Sequence, residues 1–371
     1  MLKGLQYLRG IAAVMVVLLH ARISVNHYLV AISERQLLFP ENHWAAFGRF
    51  GVDIFFVISG FVISITLFKL NMDSMSDIRK FIRKRIIRVA PLFWVCLITY
   101  IITMYFTNPR ASFDALKIFT GAVFQFYSDA RGNPSTYYGV SWTLNYEMLF
   151  YMSVGMFVII FRKYWAASVS VLFLCTSYLF YVYGKDMNVV QKFVFNPITL
   201  EFILGVLVAH IYNRNVRINP FIGVPLIVVC FLYIYYIPVR GLSDWYIGRT
   251  INAAIPAAII VMCIVNLEFK NFIANKILMA VGDSSYSLYL VHSIIFIWLN
   301  YIFVSLEIKA SSGVEVYAYF LFIVMMSILL SVIINIKIEK PMLKALNGYV
   351  DDVCKKKGYG ENNAVTLPEA K

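Results

Sequence analysis

The chain has 371 residues, 60% of them hydrophobic and only 14% charged, with a mean hydropathy of +0.73. A soluble domain carries about 45–50% apolar and about 25% charged residues, so this composition excludes an ordinary soluble enzyme and indicates a polytopic membrane protein. The formal net charge of +13 is sorted along the chain in a way that speaks for topology. The expected partner is therefore a lipid bilayer, and no nucleic acid is expected.

Ten apolar runs of spanning length follow one another, over residues 6–26, 48–69, 88–107, 141–161, 165–184, 196–213, 220–238, 248–267, 284–305 and 315–337. About 20 apolar residues cross a ~30 Å hydrocarbon core, so the sequence predicts an all-α fold of about ten transmembrane helices. Residues 113–127 are apolar but short and read as re-entrant or interfacial. Ten crossings leave both termini on one side, and that side gathers 22 of the 33 Lys and Arg. Positive-inside sorting makes it the cytoplasm. Residues 1–341 are then one membrane domain and 342–371 a polar, flexible cytoplasmic tail, whose Lys355-Lys356-Lys357 would be weakly drawn to anionic lipid. The first run also has the outline of a signal peptide, but it lacks an A-x-A cleavage site and is read as the first helix. No internal repeat of the transporter kind is visible.

Arg9 and His20 bracket the uncharged stretch 11–19. Ionisable groups inside a membrane are costly and seldom kept without a task, and eleven helical steps separate these two by roughly 16 Å. Counting ~1.5 Å per residue into the ~30 Å core puts His20 about 9 Å below the outer surface, and Asp53, Glu147 and Glu201 at roughly 7–9 Å. One imidazole and three carboxylates at a common depth predict a shared cavity open to the outside. Each acid also sits in the first two turns of its helix, where the macrodipole favours negative charge. That structural account is strongest for Asp53. It is weakest for Glu147, which has Ser141, Trp142, Thr143, Asn145 and Tyr146 as neighbours.

His292 falls near mid-depth on the ninth helix, and a structural and a catalytic role are both open. Ser59-Gly60 serves either close helix packing or a narrow slot for a ligand. His27 and His43 belong to an exterior loop and His210 ends the sixth helix; none is assigned a role. From Arg79 to Arg88 six of ten residues are cationic, more than anchoring needs. Arginines at i, i+3 share a helix face suited to gripping phosphates. The five cysteines, Cys96, Cys175, Cys230, Cys263 and Cys354, show no C-x-x-C spacing, so no disulfide, metal or redox centre is expected.

In chain order these features resemble the acyltransferase 3 family of bacterial membrane acyltransferases, which modify surface glycans. Leu5-Gln6-Tyr7-Leu8-Arg9-Gly10 leading to His20 looks like the family's R-x10-H opening, especially that of its exopolysaccharide-acylating branch. Phe55-Phe56-Val57-Ile58-Ser59-Gly60 looks like its F-F-x-x-S-G helix. Arg85 and Arg88 match its R-x-x-R. Ser141, Trp142, Leu144, Glu147, Phe150 and Tyr151 match S-W-x-L-x-x-E-x-x-F-Y. Glu201-Phe202 before Gly205, Tyr286 to His292, and Glu339-Lys340-Pro341 are similar to later signatures. The resemblance spans residues 5–341 and lacks the soluble esterase-like domain of some relatives, which implies a stand-alone membrane form.

The resemblance implies transfer of an acyl group, usually acetyl, from cytoplasmic acyl-CoA. The acceptor would be a sugar hydroxyl of a surface or exported polysaccharide, or a lipid-linked oligosaccharide, at a bacterial inner membrane. On this reading Arg9, Arg85, Arg88, Ser59 and Gly60 hold acetyl-CoA or another acyl-CoA. His20 is the general base or a covalent acyl carrier, and Glu147 orients or charges its imidazole. Asp53, Trp142, Asn145, Glu201 and His292 face the acceptor, and no metal is needed. A homo-oligomer is compatible with the sequence. The alternatives are a transporter or flippase of a glycan or lipid-linked intermediate, since deep carboxylates and histidines also build proton relays, and a scaffolding subunit, which leaves the ordered motifs unexplained.

Overall fold

A computed structural model describes residues 2–32, 42–236, 247–267, 273–308 and 312–356. Helices α1 (Lys3–Ala31), α2 (Asn42–Leu67) and α3 (Met75–Thr107) come first. A short helix α4 (Ala115–Ala122) and a two-stranded hairpin, β1 (Tyr127–Ser128) with β2 (Pro134–Ser135), follow. Then come α5 (Trp142–Phe161), α6 (Trp165–Tyr183), α7 (Val189–Val194), α8 (Leu200–Asn213) and α9 (Pro220–Tyr236). The chain continues through Ile247–Arg249 and a π-helical turn, Thr250–Ala254, into α10 (Ile255–Ile264). Last are α11 (Ile273–Asp283), α12 (Ser285–Ser305), α13 (Gly313–Ile334), a second π-helical turn at Asn335–Glu339, and α14 (Lys340–Lys356).

Each of the ten apolar runs overlaps helix among the described residues, residues 237 and 238 of the seventh lying outside them. Among the described residues seven helical segments are long and apolar enough to cross a membrane. One of them, Gly139–Tyr183, turns at Arg162, whose φ of 49° separates α5 from α6. Two further apolar helices, Pro220–Tyr236 and Thr250–Ile264, are shorter. This is a multi-pass helical membrane protein.

The short apolar stretch near 113–127 forms α4, with Asp114 capping the amides of Leu116 and Lys117, and then enters the hairpin. His27 and His43 lie within α1 and α2 rather than in a loop, because both helices run past their apolar runs. The region expected as a polar tail begins as helix through residue 356. Pro341 follows closely on the π-helical turn at Asn335–Glu339, inside a helical segment that runs on from Gly313, so its missing N–H coincides with the local departure from the regular i→i−4 ladder. Residues 357–371 lie outside the described ones.

The most extensive packing joins α2 to α8 and α1 to α2. Glycines permit both contacts. A Cβ on Gly51 would stand 2.4 Å from the Ala12 carbonyl oxygen, and one on Gly60 would stand 2.0 Å from that of Phe202, with Gly205 directly opposite. α12 packs on both α1 and α13, and α13 also touches α1. The first helix is thus enclosed, with Ala12, Ala13, Val17 and Ala21 fully buried. It is a central pillar that carries Arg9 and His20 into the interior.

Candidate active site

A cavity of about 120 Å³ opens among α1, α2, α3, α5 and α12. Arg9, Arg85 and Arg88 line it, and Glu147 is the sole carboxylate among its lining residues. Arg85 and Arg88 are i, i+3 on α3, so one helical face delivers both. Arg85 Nη2 donates to Thr66 Oγ1 at 2.8 Å and Arg9 Nη1 to Gln6 Oε1 at 3.2 Å, so each is held by a neutral oxygen. Arg88 Nη1 donates to Glu339 Oε1 at 2.5 Å. The other oxygen of Glu339 accepts from Ser287 Oγ at 2.5 Å and from Asn335 Nδ2 at 2.8 Å. Glu339 reaches this position from a π-helical turn, a local widening of the helix that is common at functional sites.

Glu147 accepts from Ser59 Oγ at 3.1 Å and from the Tyr151 hydroxyl. Even with Glu339 counted, two carboxylates face three guanidiniums, so the cavity keeps a positive excess. Much of its remaining wall is apolar, including Val52, Phe56, Val62 and Leu144, and Ser285 Oγ there is buried without a hydrogen-bond partner. Cationic walls, an apolar slot and a waiting hydroxyl suit an elongated ligand with anionic groups at one end.

Tyr289 also lines the cavity, one turn along α12 from Ser285 and Tyr286. Thr143 Oγ1 lies 2.7 Å from its hydroxyl, which donates to the Val140 carbonyl at 2.7 Å. Its ring is 6.2 Å from that of His292, one turn further along α12. His292 is fully buried, and His20 Nδ1 lies 2.6 Å from its Nε2. His20 and His292 do not line the cavity.

A third group lies apart. Asp53 is buried and paired with Arg249, whose Nε and Nη2 reach its two oxygens at 3.3 and 3.4 Å. The Arg249 guanidinium also sits 5.8 Å from the centre of the Trp142 ring. Glu201, fully buried, stands beside Asp53 and within electrostatic reach of Arg249. Asn145 is likewise buried with both amide atoms unpartnered. Among the described residues no group of three or more His, Cys, Asp or Glu is placed to hold a metal ion.

Several expected placements change. Glu147 does not stand against His20; His292 does. Glu147 bonds Ser59, six residues beyond Asp53 on the same helix and about 9 Å deeper, so the acids do not share one depth. The cause is the entry to α5. The preceding segment is folded into the bundle, with the Tyr138 hydroxyl bonded to the Leu290 carbonyl, so α5 starts below the level its apolar run suggested. Gly60, expected beside the donor, faces Phe202 and Gly205 instead. His210 donates from Nδ1 to the Val206 carbonyl at 2.9 Å within its own helix. Glu339, Arg249 and Tyr289 were not singled out. Glu339 and Tyr289 lay inside segments already marked by resemblance, and Arg249 is a lone cation in an apolar run, the signal that marked Arg9.

The acyltransferase 3 family, described as an acyltransferase domain, matches residues 2–336. The exopolysaccharide production protein ExoZ of Rhizobium meliloti is 27% identical over 259 residues, covering 68% of this chain and 77% of that protein. The putative peptidoglycan O-acetyltransferase YrhL of Bacillus subtilis is 26% identical over 286 residues, 67% of this chain and 44% of that protein. The peptidoglycan O-acetyltransferase OatA of Listeria monocytogenes is 30% identical over 137 residues, 33% of this chain and 21% of that protein. The matches thus span less than half the length of the two peptidoglycan enzymes. No solved structure matches the chain. With nearly its whole length matched and its motifs gathered around one cationic cavity, the chain belongs to the acyltransferase 3 family and is a membrane acyltransferase.

Proposed function

We propose that the protein transfers an acetyl group from cytoplasmic acetyl-CoA to a sugar hydroxyl of an exported polysaccharide at a bacterial inner membrane, with both termini in the cytoplasm. The observation that carries this reading is the positive excess of the Arg9–Arg85–Arg88 cavity beside an apolar slot, which suits a phosphate-bearing donor with a slender acyl arm. The names of ExoZ, YrhL and OatA point to surface glycans as the acceptor class.

On this reading the nucleotide phosphates meet the three arginines and the thioester arm passes Tyr289 toward His20. His20 removes the proton of the acceptor hydroxyl, and the oxygen attacks the thioester carbonyl. The C–S bond breaks, and the departing sulfur takes the proton from His20. Positioned acid–base help of this kind is worth about 10²–10⁴-fold.

The test is labelled acetyl-CoA given to membranes containing the protein and its polysaccharide. Label should enter the glycan, and His20→Ala should abolish transfer while leaving expression and insertion intact. Glycan crossing the membrane without acquiring label would replace this reading with a flippase.

A further inference from the structure

The two buried imidazoles form a chain whose protonation the geometry dictates. His292 Nδ1 lies 3.0 Å from the Leu288 carbonyl oxygen, one turn back on α12. A carbonyl oxygen only accepts, so His292 Nδ1 carries the proton, and the neutral ring then has an acceptor at Nε2. That nitrogen is 2.6 Å from His20 Nδ1, so His20 Nδ1 must be the donor. The rings lie within 17° of parallel with centroids 4.9 Å apart. This places the two nitrogens on facing ring edges, where an N–H points along the opposite lone pair. The opposite assignment would set the His292 Nδ1 lone pair against the lone pairs of the Leu288 oxygen. Packing holds the donor–acceptor order in place, since Tyr289 and Phe296 flank the His292 ring at 6.2 and 5.6 Å.

We infer that His292 is a positioning residue that locks His20 in the Nδ1–H tautomer, leaving the lone pair of His20 Nε2 as the atom that takes the acceptor proton. The backbone carbonyl of Leu288 orients His292, and His292 orients His20, so a neutral relay does the work that a carboxylate does in a serine hydrolase. The proton balance closes on one atom. Nε2 receives the hydroxyl proton as the acyl–oxygen bond forms, and returns it to the thiolate as the C–S bond breaks. The imidazolium formed between these events keeps its Nδ1–H bond to His292. Among the described residues no other group is bonded to His20, which leaves Nε2 for substrate. The inference rests on the reading of His20 as the base.

The test uses the full-length protein in lipid nanodiscs. His292→Phe keeps a ring of similar size but removes both nitrogens. His292→Gln restores an acceptor oxygen near the Nε2 position. His292→Phe should lower kcat on the order of 10²-fold, below the about 10⁴-fold loss seen when a charged orienting carboxylate is neutralised, with KM for acetyl-CoA unchanged. His292→Gln should recover activity to within about tenfold of wild type. In ¹⁵N-histidine-labelled protein the His20 ring should read as the Nδ1–H tautomer in the wild type and as a mixture in His292→Phe, a readout independent of turnover. Wild-type kcat in a folded His292→Phe while His20→Ala is inactive would overturn the positioning role alone. A fully active His20→Ala would overturn the underlying assignment of the base. An Nε2–H tautomer of His20 in the wild type would overturn the proton order.

Discussion

Replacing Gly60 by alanine separates packing from ligand binding at the crossing of α2 and α8. The added methyl would start 2.0 Å from the Phe202 carbonyl oxygen and 3.2 Å from the Gly205 Cα, so reaching the 3.4 Å of ordinary contact requires α8 to retreat by about 1.4 Å. A gap of even 0.5–1 Å forfeits a quarter to a half of the dispersion energy of the atoms it separates. Among the described residues this crossing is the most extensive helix pair. Overpacking typically costs about 1–3 kcal/mol, and the backbone position of the clash puts Gly60→Ala at the upper end, about 3 kcal/mol. The shift also carries Glu201 away from Asp53. The variant should therefore lower the apparent melting temperature in detergent by roughly 5 °C or more and lower kcat. KM for acetyl-CoA should change little, because Gly60 does not line the cavity. An unchanged melting temperature with a raised KM would refute the packing role and return Gly60 to the donor site.

Arg85→Ala with Arg88→Ala should raise KM for acetyl-CoA by about 10²–10⁴-fold, since charge-assisted bonds contribute about 1.5–3 kcal/mol each. Titration of initial rates against donor concentration reads this, and an unchanged KM would leave the pair with a purely topological role. Asp53→Asn together with Glu201→Gln leaves the largely enclosed Arg249 without either carboxylate, a loss of up to about 3–5 kcal/mol. Thermal unfolding of both single variants and the double should show the double falling below either single. Equal stability of all three would mean that Arg249 finds its counter-charge elsewhere.

Much of the architecture was legible in order along the chain. Hydropathy is a local property, and among the described residues every apolar run overlaps a helix. The face shared by Arg85 and Arg88 follows from three residues of helical rotation, so their convergence on one cavity needed no tertiary information. The fate of Glu147 was not legible in this way. Counting residues from the start of an apolar run gives a height along an axis, but neither the azimuth of the side chain nor the true level at which the helix begins. α2 starts six residues before its run, and α5 starts inside the bundle after Tyr138 is drawn in toward Leu290 and Ser293. The two counts therefore slipped against each other, and Glu147 was placed with the wrong partner. Gly60 carried two readings in the sequence because close approach of backbone serves a neighbouring helix and a ligand equally well. Only the position of Phe202 distinguishes them.

The sequence by itself determined a helical membrane protein with a cationic grip at one end of its first helix and an imidazole eleven residues along it, because these depend on composition and on helical periodicity. Tertiary structure alone decided which buried charges and rings meet. His20 and His292 are 272 positions apart, Arg88 and Glu339 are 251, and Asp53 and Arg249 are 196. Such pairs form only when helices that are distant in the chain pack side by side and turn particular faces inward. That rotation is fixed by the close contacts at Gly51, Gly60 and Gly205, which no local pattern of hydrophobicity encodes.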